Sequence, residues 1–188
     1  HDGMSWVHRA TPQVHLEGRT YLRGTTISGS TVALHAFRGL NSAGIQTGIV
    51  YLLQDTSAGL DWSSYSVITI EASDGAEGDN LGSLIALWGR TLVAKGGGDL
   101  YVFTDTSGPG DWSSFSEAKI TASDGTEMDY VDIWGSGAVN GDTIAATRSF
   151  EEIVYVFRDV SIANDWSNTT ESQLVVPPPP PVGHIQPS

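Results

Sequence analysis

The polar residues that recur most regularly are acids set beside tryptophan. The pattern Asp-x-Ser-x-x-x-Asp-Trp runs from Asp55 to Trp62, from Asp105 to Trp112 and from Asp159 to Trp166. Each copy places two carboxylates on one loop: Asp55 with Asp61, Asp105 with Asp111, Asp159 with Asp165. Carboxylates are the hard oxygen donors that Ca²⁺ gathers in sets of six to eight. Aspartates of this kind also accept backbone N–H groups and nucleate turns. Both readings stand at this point, with the turn the simpler. The shorter repeat Ala-Ser-Asp-Gly, with Asp74 and Asp124 followed five residues on by Asp79 and Asp129, divides the same way. Trp62, Trp112 and Trp166 also have two uses. An exposed indole stacks on a sugar ring, with the adjacent Asp61, Asp111 or Asp165 accepting hydroxyl bonds, whereas a buried one packs between sheets.

Catalytic chemistry is harder to find. A terminal histidine can hold copper through its amine and ring, so His1, with His8, His15 and His35 as partners, is a remote candidate copper site. Those spacings match no recognisable metal pattern. There is no Gly-x-Ser-x-Gly, no phosphate-binding glycine loop and no His-Glu-x-x-His. The expectation is a protein that is not an enzyme.

These residues sit in a repeat, and the repeat dictates the elements that carry them. VYLLQDTSAGLDWSSYSVITIEASDG begins at Val50, LYVFTDTSGPGDWSSFSEAKITASDG at Leu100 and VYVFRDVSIANDW at Val154. Tyr51, Tyr101 and Tyr155 mark steps of 50 and 54, and the tryptophans keep the same steps. Alternating, β-branched runs bounded by Gly, Asp and Ser predict four short strands per unit. The first unit predicts strands over 22–27, 31–37, 48–54 and 65–72. The second predicts 83–88, 91–95, 100–104 and 115–122, and the third 131–134, 143–147, 153–158 and 171–176. One further strand is expected over 13–16. No segment carries a helical period.

Residues 1–16 then read as an extra strand or the remnant of a preceding repeat. Residues 17–176 hold three units, about 17–72, 73–122 and 123–176, and 177–188 form a proline-rich tail. Pro177 to Pro181 impose polyproline II, a stiff rod without internal hydrogen bonds. It reads as a linker or a docking strut.

Composition narrows the partners. The 188 residues carry a net charge of −13, which argues against nucleic acid. No apolar run approaches the ~20 residues of a membrane span. Residues 1–50 hold four Arg and two acids, and the remainder five basic residues and twenty acids. That asymmetry can steer one end of a copy towards the other end of its neighbour. Cysteine is absent, so there is no disulfide framework and no thiolate site. Asn168-Thr169-Thr170 fits an N-glycosylation acceptor. With a first residue that is not Met, read as a trimmed leader or a piece of a precursor, it points to an extracellular address.

The ordered set of Ala-Ser-Asp-Gly, a Gly-x-Thr-[Val/Ile/Leu]-[Val/Ala] strand, a [Val/Leu]-Tyr-[Val/Leu]-[Phe/Leu] strand and a Trp resembles FG-GAP repeats, the blades of integrin-type β-propellers. The resemblance spans about 17–176. It implies an all-β chain of four-stranded antiparallel blades and a role in adhesion or assembly. It also implies calcium in Asp-rich loops, although the Asp-x-Asp-x-Asp-Gly spacing of those loops is absent. Leu81-Gly82 and Tyr130-Val131 stand where the family carries Phe-Gly. Three blades do not close the family's usual ring of seven. An open array leaves apolar faces at both ends, and burying them gains about 25 cal/mol per Å². The chain is therefore expected to associate with other copies, as a ring or a head-to-tail filament, in a structural or adhesive role. A carbohydrate-binding propeller with glycan or cell-surface partners is the alternative.

Overall fold

The computed structural model describes residues 21–57, 62–108, 110–124, 137–147 and 153–175. They are all-β, with twelve strands in three four-stranded sheets. The first sheet comprises β1 (Tyr21–Ser28), β2 (Thr31–Phe37), β3 (Ile49–Asp55) and β4 (Tyr65–Ile70). The second comprises β5 (Ile85–Trp88), β6 (Thr91–Gly96), β7 (Asp99–Asp105) and β8 (Phe115–Ile120). The third comprises β9 (Gly137–Asn140), β10 (Thr143–Thr147), β11 (Ile153–Asp159) and β12 (Thr169–Val175). Each sheet is an antiparallel meander in chain order.

The first hairpin of every sheet is set by a glycine. Gly29, Gly89 and Gly141 have φ of 58°, 53° and 60°. Each opens a two-residue turn in which Ser28 pairs with Thr31, Trp88 with Thr91 and Asn140 with Thr143. A glycine at the first central position is what a type II′ hairpin turn needs.

The sheets stack through unlike faces. The first sheet offers Ala33, Val50, Leu52 and Ile70 to Leu92, Ala94, Tyr101, Phe103 and Trp112 of the second. The second offers Val93, Leu100, Val102 and Ile120 to Ile144, Ala146, Tyr155, Phe157 and Trp166 of the third. The residues of each set share one parity along their strands, so a sheet uses one face for its predecessor and the other for its successor. β1 lies against β5 and β5 against β9, and the described sheets form an open stack.

The strand expectations hold to within two residues in all three sheets, except for the first strand of the third. That strand is Gly137–Asn140, not 131–134. The physical reason is the turn: a two-residue hairpin at Gly141 requires the strand to end at Asn140. The apolar run Val131-Asp132-Ile133-Trp134 lies outside the described residues, as do the expected strand over 13–16 and the proline tail.

Candidate functional site

The Asp–Trp loops join the third and fourth strand of each sheet. The first aspartate ends the third strand, and its carboxylate faces inward. Asp55 accepts the N–H of Ser57 at 2.8 Å and that of Trp62 at 3.0 Å. Asp159 accepts the N–H of Ser161 at 2.8 Å and that of Trp166 at 3.2 Å. Asp105, fully buried, accepts Ser107 N–H at 2.9 Å, Ser107 Oγ–H at 2.6 Å, Gly108 N–H at 3.4 Å and Gly110 N–H at 3.1 Å. Burial works to raise its pKa. The Ser107 hydroxyl and N–H, with the N–H groups of Gly108 and Trp112, outweigh that and hold the carboxyl below its ordinary value.

The second aspartate turns outward. Asp111 accepts Ser113 Oγ–H at 3.0 Å, and Asp165 accepts Ser167 N–H at 3.1 Å and Oγ–H at 2.6 Å. The two acids of a loop therefore organise separate turns. Among the described residues no group of three or more His, Asp or Glu is placed to share a metal ion. Asp61 and Asp129, with His1, His8 and His15, lie outside the described residues.

All three tryptophans adopt the left-handed backbone region, with φ of 59°, 53° and 62°. This is uncommon for a bulky residue. The N–H bond each makes to the first aspartate offsets the cost, and in Trp112 and Trp166 the indole lies between sheets. Trp112 and Trp166 are buried there, so packing rather than stacking on a sugar describes them. Trp62 is half-exposed, because no described sheet precedes the first.

A second set of contacts couples the sheets, and sequence reasoning did not anticipate it. In the loop after β4, Ser73 donates its N–H and hydroxyl to Glu117 of β8 at 3.0 and 2.7 Å. Asp74 accepts the Tyr101 hydroxyl at 2.7 Å. One repeat on, Ser123 donates its N–H and hydroxyl to Glu171 of β12 at 2.7 and 3.0 Å, and Asp124 accepts the Tyr155 hydroxyl at 2.9 Å. Ala-Ser-Asp-Gly is thus a latch: serine to a glutamate and aspartate to a tyrosine of the next sheet. Glu117 pairs with Phe103 as Glu171 pairs with Phe157, so both glutamates stand at one register position. The signal for this was present in the recurrence of Tyr and Glu, but only a register links them.

Lys119 joins the first latch, 2.8 Å from Asp74 and 3.0 Å from Asp99. The Lys119 and Tyr101 bonds hold Asp74 below its usual range. Burial, then the Asp74 bond, pushes Tyr101 up to about 12. His35, in β2, is buried and its Nε2 has no hydrogen-bond partner. Burial, with help from the Arg23 charge, lowers its pKa to about 4.

Two clefts open between sheets at equivalent places. One, of about 540 Å³, is lined by Gln54, Thr56, Ser66, Ile68, Asp111 and Ser113. The other, of about 260 Å³, is bordered by Thr104, Thr106, Ser116 and Asp165 among others. Thr104 Oγ1 and Ser116 Oγ are buried there without a hydrogen-bond partner. Asn168 is exposed immediately before β12. No helix among the described residues is long and apolar enough to cross a membrane. Comparison with family models, with curated proteins and with solved structures returned no match.

Proposed function

We propose that this chain is a non-enzymatic, extracellular structural or adhesion module built from FG-GAP-like blades, and that it assembles with further copies through the faces at the ends of its stack. One observation carries the reading. The same face-to-face contact is used twice inside the molecule, and one half of that contact remains at each end.

On the first blade that half is Ile27, Val32, Leu34 and Val67, with Ile27 63% and Val67 44% exposed. Their counterparts on the second blade include Leu92 and Ala94, which are fully buried. On the third blade it is Val154 and Val156, half-exposed, and Leu174, 55% exposed. Apolar sheet faces of this kind are covered in stable repeat arrays. Leu81-Gly82 stands where the family that the repeats resemble carries Phe-Gly. Leu81 is buried in the core, and Gly82 has φ of 92°. A Cβ there would come within 2.7 Å of Val50 and 2.9 Å of His35. The glycine of the pair is therefore demanded by backbone and by space. The exposed Asn168 suits glycosylation and so an extracellular setting.

Size-exclusion chromatography with light scattering over a range of concentrations tests the reading. Species that are multiples of the 20.0 kDa chain support it, and a monomer at every concentration refutes it.

A second reading, glycan binding, attaches to the two clefts rather than to the tryptophans. Their hydroxyl and carboxylate linings, and the unpartnered oxygens of Thr104 and Ser116, suit a neutral polyhydroxylated ligand. A glycan array on the intact chain tests it, with Ser66→Val together with Ser116→Val, one in each cleft, expected to abolish any signal.

A further inference from the structure

We infer that the contact between copies is polar: the exposed face of the third sheet on one chain seats on the exposed face of the first sheet on the next. This rests on the self-association proposed above and specifies its partner surface and direction.

The internal contacts supply the geometry. At both, the face that a sheet offers to its successor meets the opposite face of that successor. Two like faces never meet. The described stack leaves one face of each kind, at opposite ends. A surface that mates only with its unlike counterpart gives a heterologous contact, which joins copies head to tail.

The exposed face of the first sheet departs from its interior counterparts. The latch glutamate, Glu117 in β8 and Glu171 in β12, is Val67 in β4, at the same register opposite Leu53. Its partners Ser73 and Ser123 stand three residues beyond Ile70 and Ile120. Leu174 occupies the corresponding register in β12. The acceptor carboxylate of the latch is absent from the exposed face of the first sheet.

A strand position facing only water accepts Glu at no cost. A glutamate pressed against the apolar side chains of a neighbouring sheet would be a buried charge without a partner. Valine at position 67 fits the second situation.

The third-sheet face is more polar than its internal counterparts. Ser172 stands where Ile68 and Ala118 do, and Arg158 where Gln54 and Thr104 do. Asp142 lies 3.0 Å from Arg158 and neutralises it. The contact is therefore weaker than the internal ones and dissociates on dilution.

Three exposed substitutions test the polarity without entering either internal core. Val67→Lys blocks the first-sheet face, and Ile27→Lys blocks it independently on β1 should Val67→Lys unfold. Leu174→Lys blocks the third-sheet face. Each purified variant is sized by light scattering alone and in equimolar mixture, after circular dichroism has shown the parent's β signal. Head-to-tail joining predicts that each variant alone is monomeric, and that the mixture forms a one-to-one dimer that grows no further. Association of the parent with either variant still dimeric alone, and no new species on mixing, overturns the polarity and leaves self-association standing. A parent that is monomeric throughout overturns both.

Discussion

Replacing Asp105 by asparagine exchanges one oxygen for an amide nitrogen and leaves the shape of the side chain intact. In the parent, Oδ1 accepts Ser107 N–H at 2.9 Å and Gly108 N–H at 3.4 Å, while Oδ2 accepts Gly110 N–H at 3.1 Å. Asparagine offers one acceptor, so whichever way the amide turns, one group of donors faces an NH₂. With the Oδ2 side converted, the N–H groups of Gly110 and Trp112 lose their acceptor. A buried donor without a partner costs about 1–3 kcal/mol, so two cost about 2–4 kcal/mol after some relaxation. For a chain of this size that lowers Tm by about 5–15 °C. Urea unfolding followed by tryptophan emission and far-ultraviolet circular dichroism measures the loss. Asp111→Asn is the control. Its carboxylate is exposed and receives the Ser113 hydroxyl, so the change stays within about 0.5 kcal/mol. A loss under about 1 kcal/mol for Asp105→Asn, or one no larger than the control, would refute the turn-organising role. The calcium alternative separates cleanly. A calcium ligand would give a parent whose Tm rises with added Ca²⁺ and a variant whose Tm does not. The expected result is no shift in either. The pH dependence has a definite sign. The folded carboxyl titrates below the unfolded one, so its contribution is present in full above about pH 4 and fades as pH falls through the lowered value. Asp105→Asn lacks that component.

Three further outcomes follow from the contacts. The double-mutant cycle Ser73→Ala with Glu117→Ala should show a coupling of about 0.5–1 kcal/mol, modest because the pair is exposed and the serine N–H survives the change; strict additivity would dismiss the latch. His35 should titrate near 4 in a proton NMR pH series. Its folded pKa lies below the unfolded one, so stability is whole above about pH 6.5 and is lost as pH falls through about 4, a limb that His35→Leu should flatten; an imidazole titrating near 6.5 would contradict its burial. Tyr101 should ionise near 12 by its absorbance at 295 nm. There the folded pKa is raised, so stability is whole below about pH 10 and is lost as pH climbs towards 12, and Tyr101→Phe should remove that dependence; ordinary ionisation of every tyrosine would count against the Asp74 bond.

Much of the strand pattern was legible because each strand is bounded by residues with a local mechanism. Gly29, Gly89 and Gly141 open turns that few other residues can make, and Asp55, Asp105 and Asp159 close strands by capturing N–H groups within seven residues of themselves. The first strand of the third sheet is the exception: the hairpin at Gly141 pairs Gly137–Asn140 with β10, whereas the expected run from Val131 to Trp134 lies outside the described residues. The two uses weighed for the tryptophans could not be separated in sequence. Exposure belongs to the packing of one sheet on another, and the same loop buries Trp112 and leaves Trp62 half-open.

The sequence by itself determined the repeat, the four-stranded unit and the turn residues, since all of these act over a few positions of chain. Tertiary structure alone decided which face of each sheet meets which, because alternation marks two faces without saying what covers them. It also joined Ser73 to Glu117 and Ser123 to Glu171, 44 and 48 residues apart. Such pairs are set by the register between sheets, a property that no single strand carries.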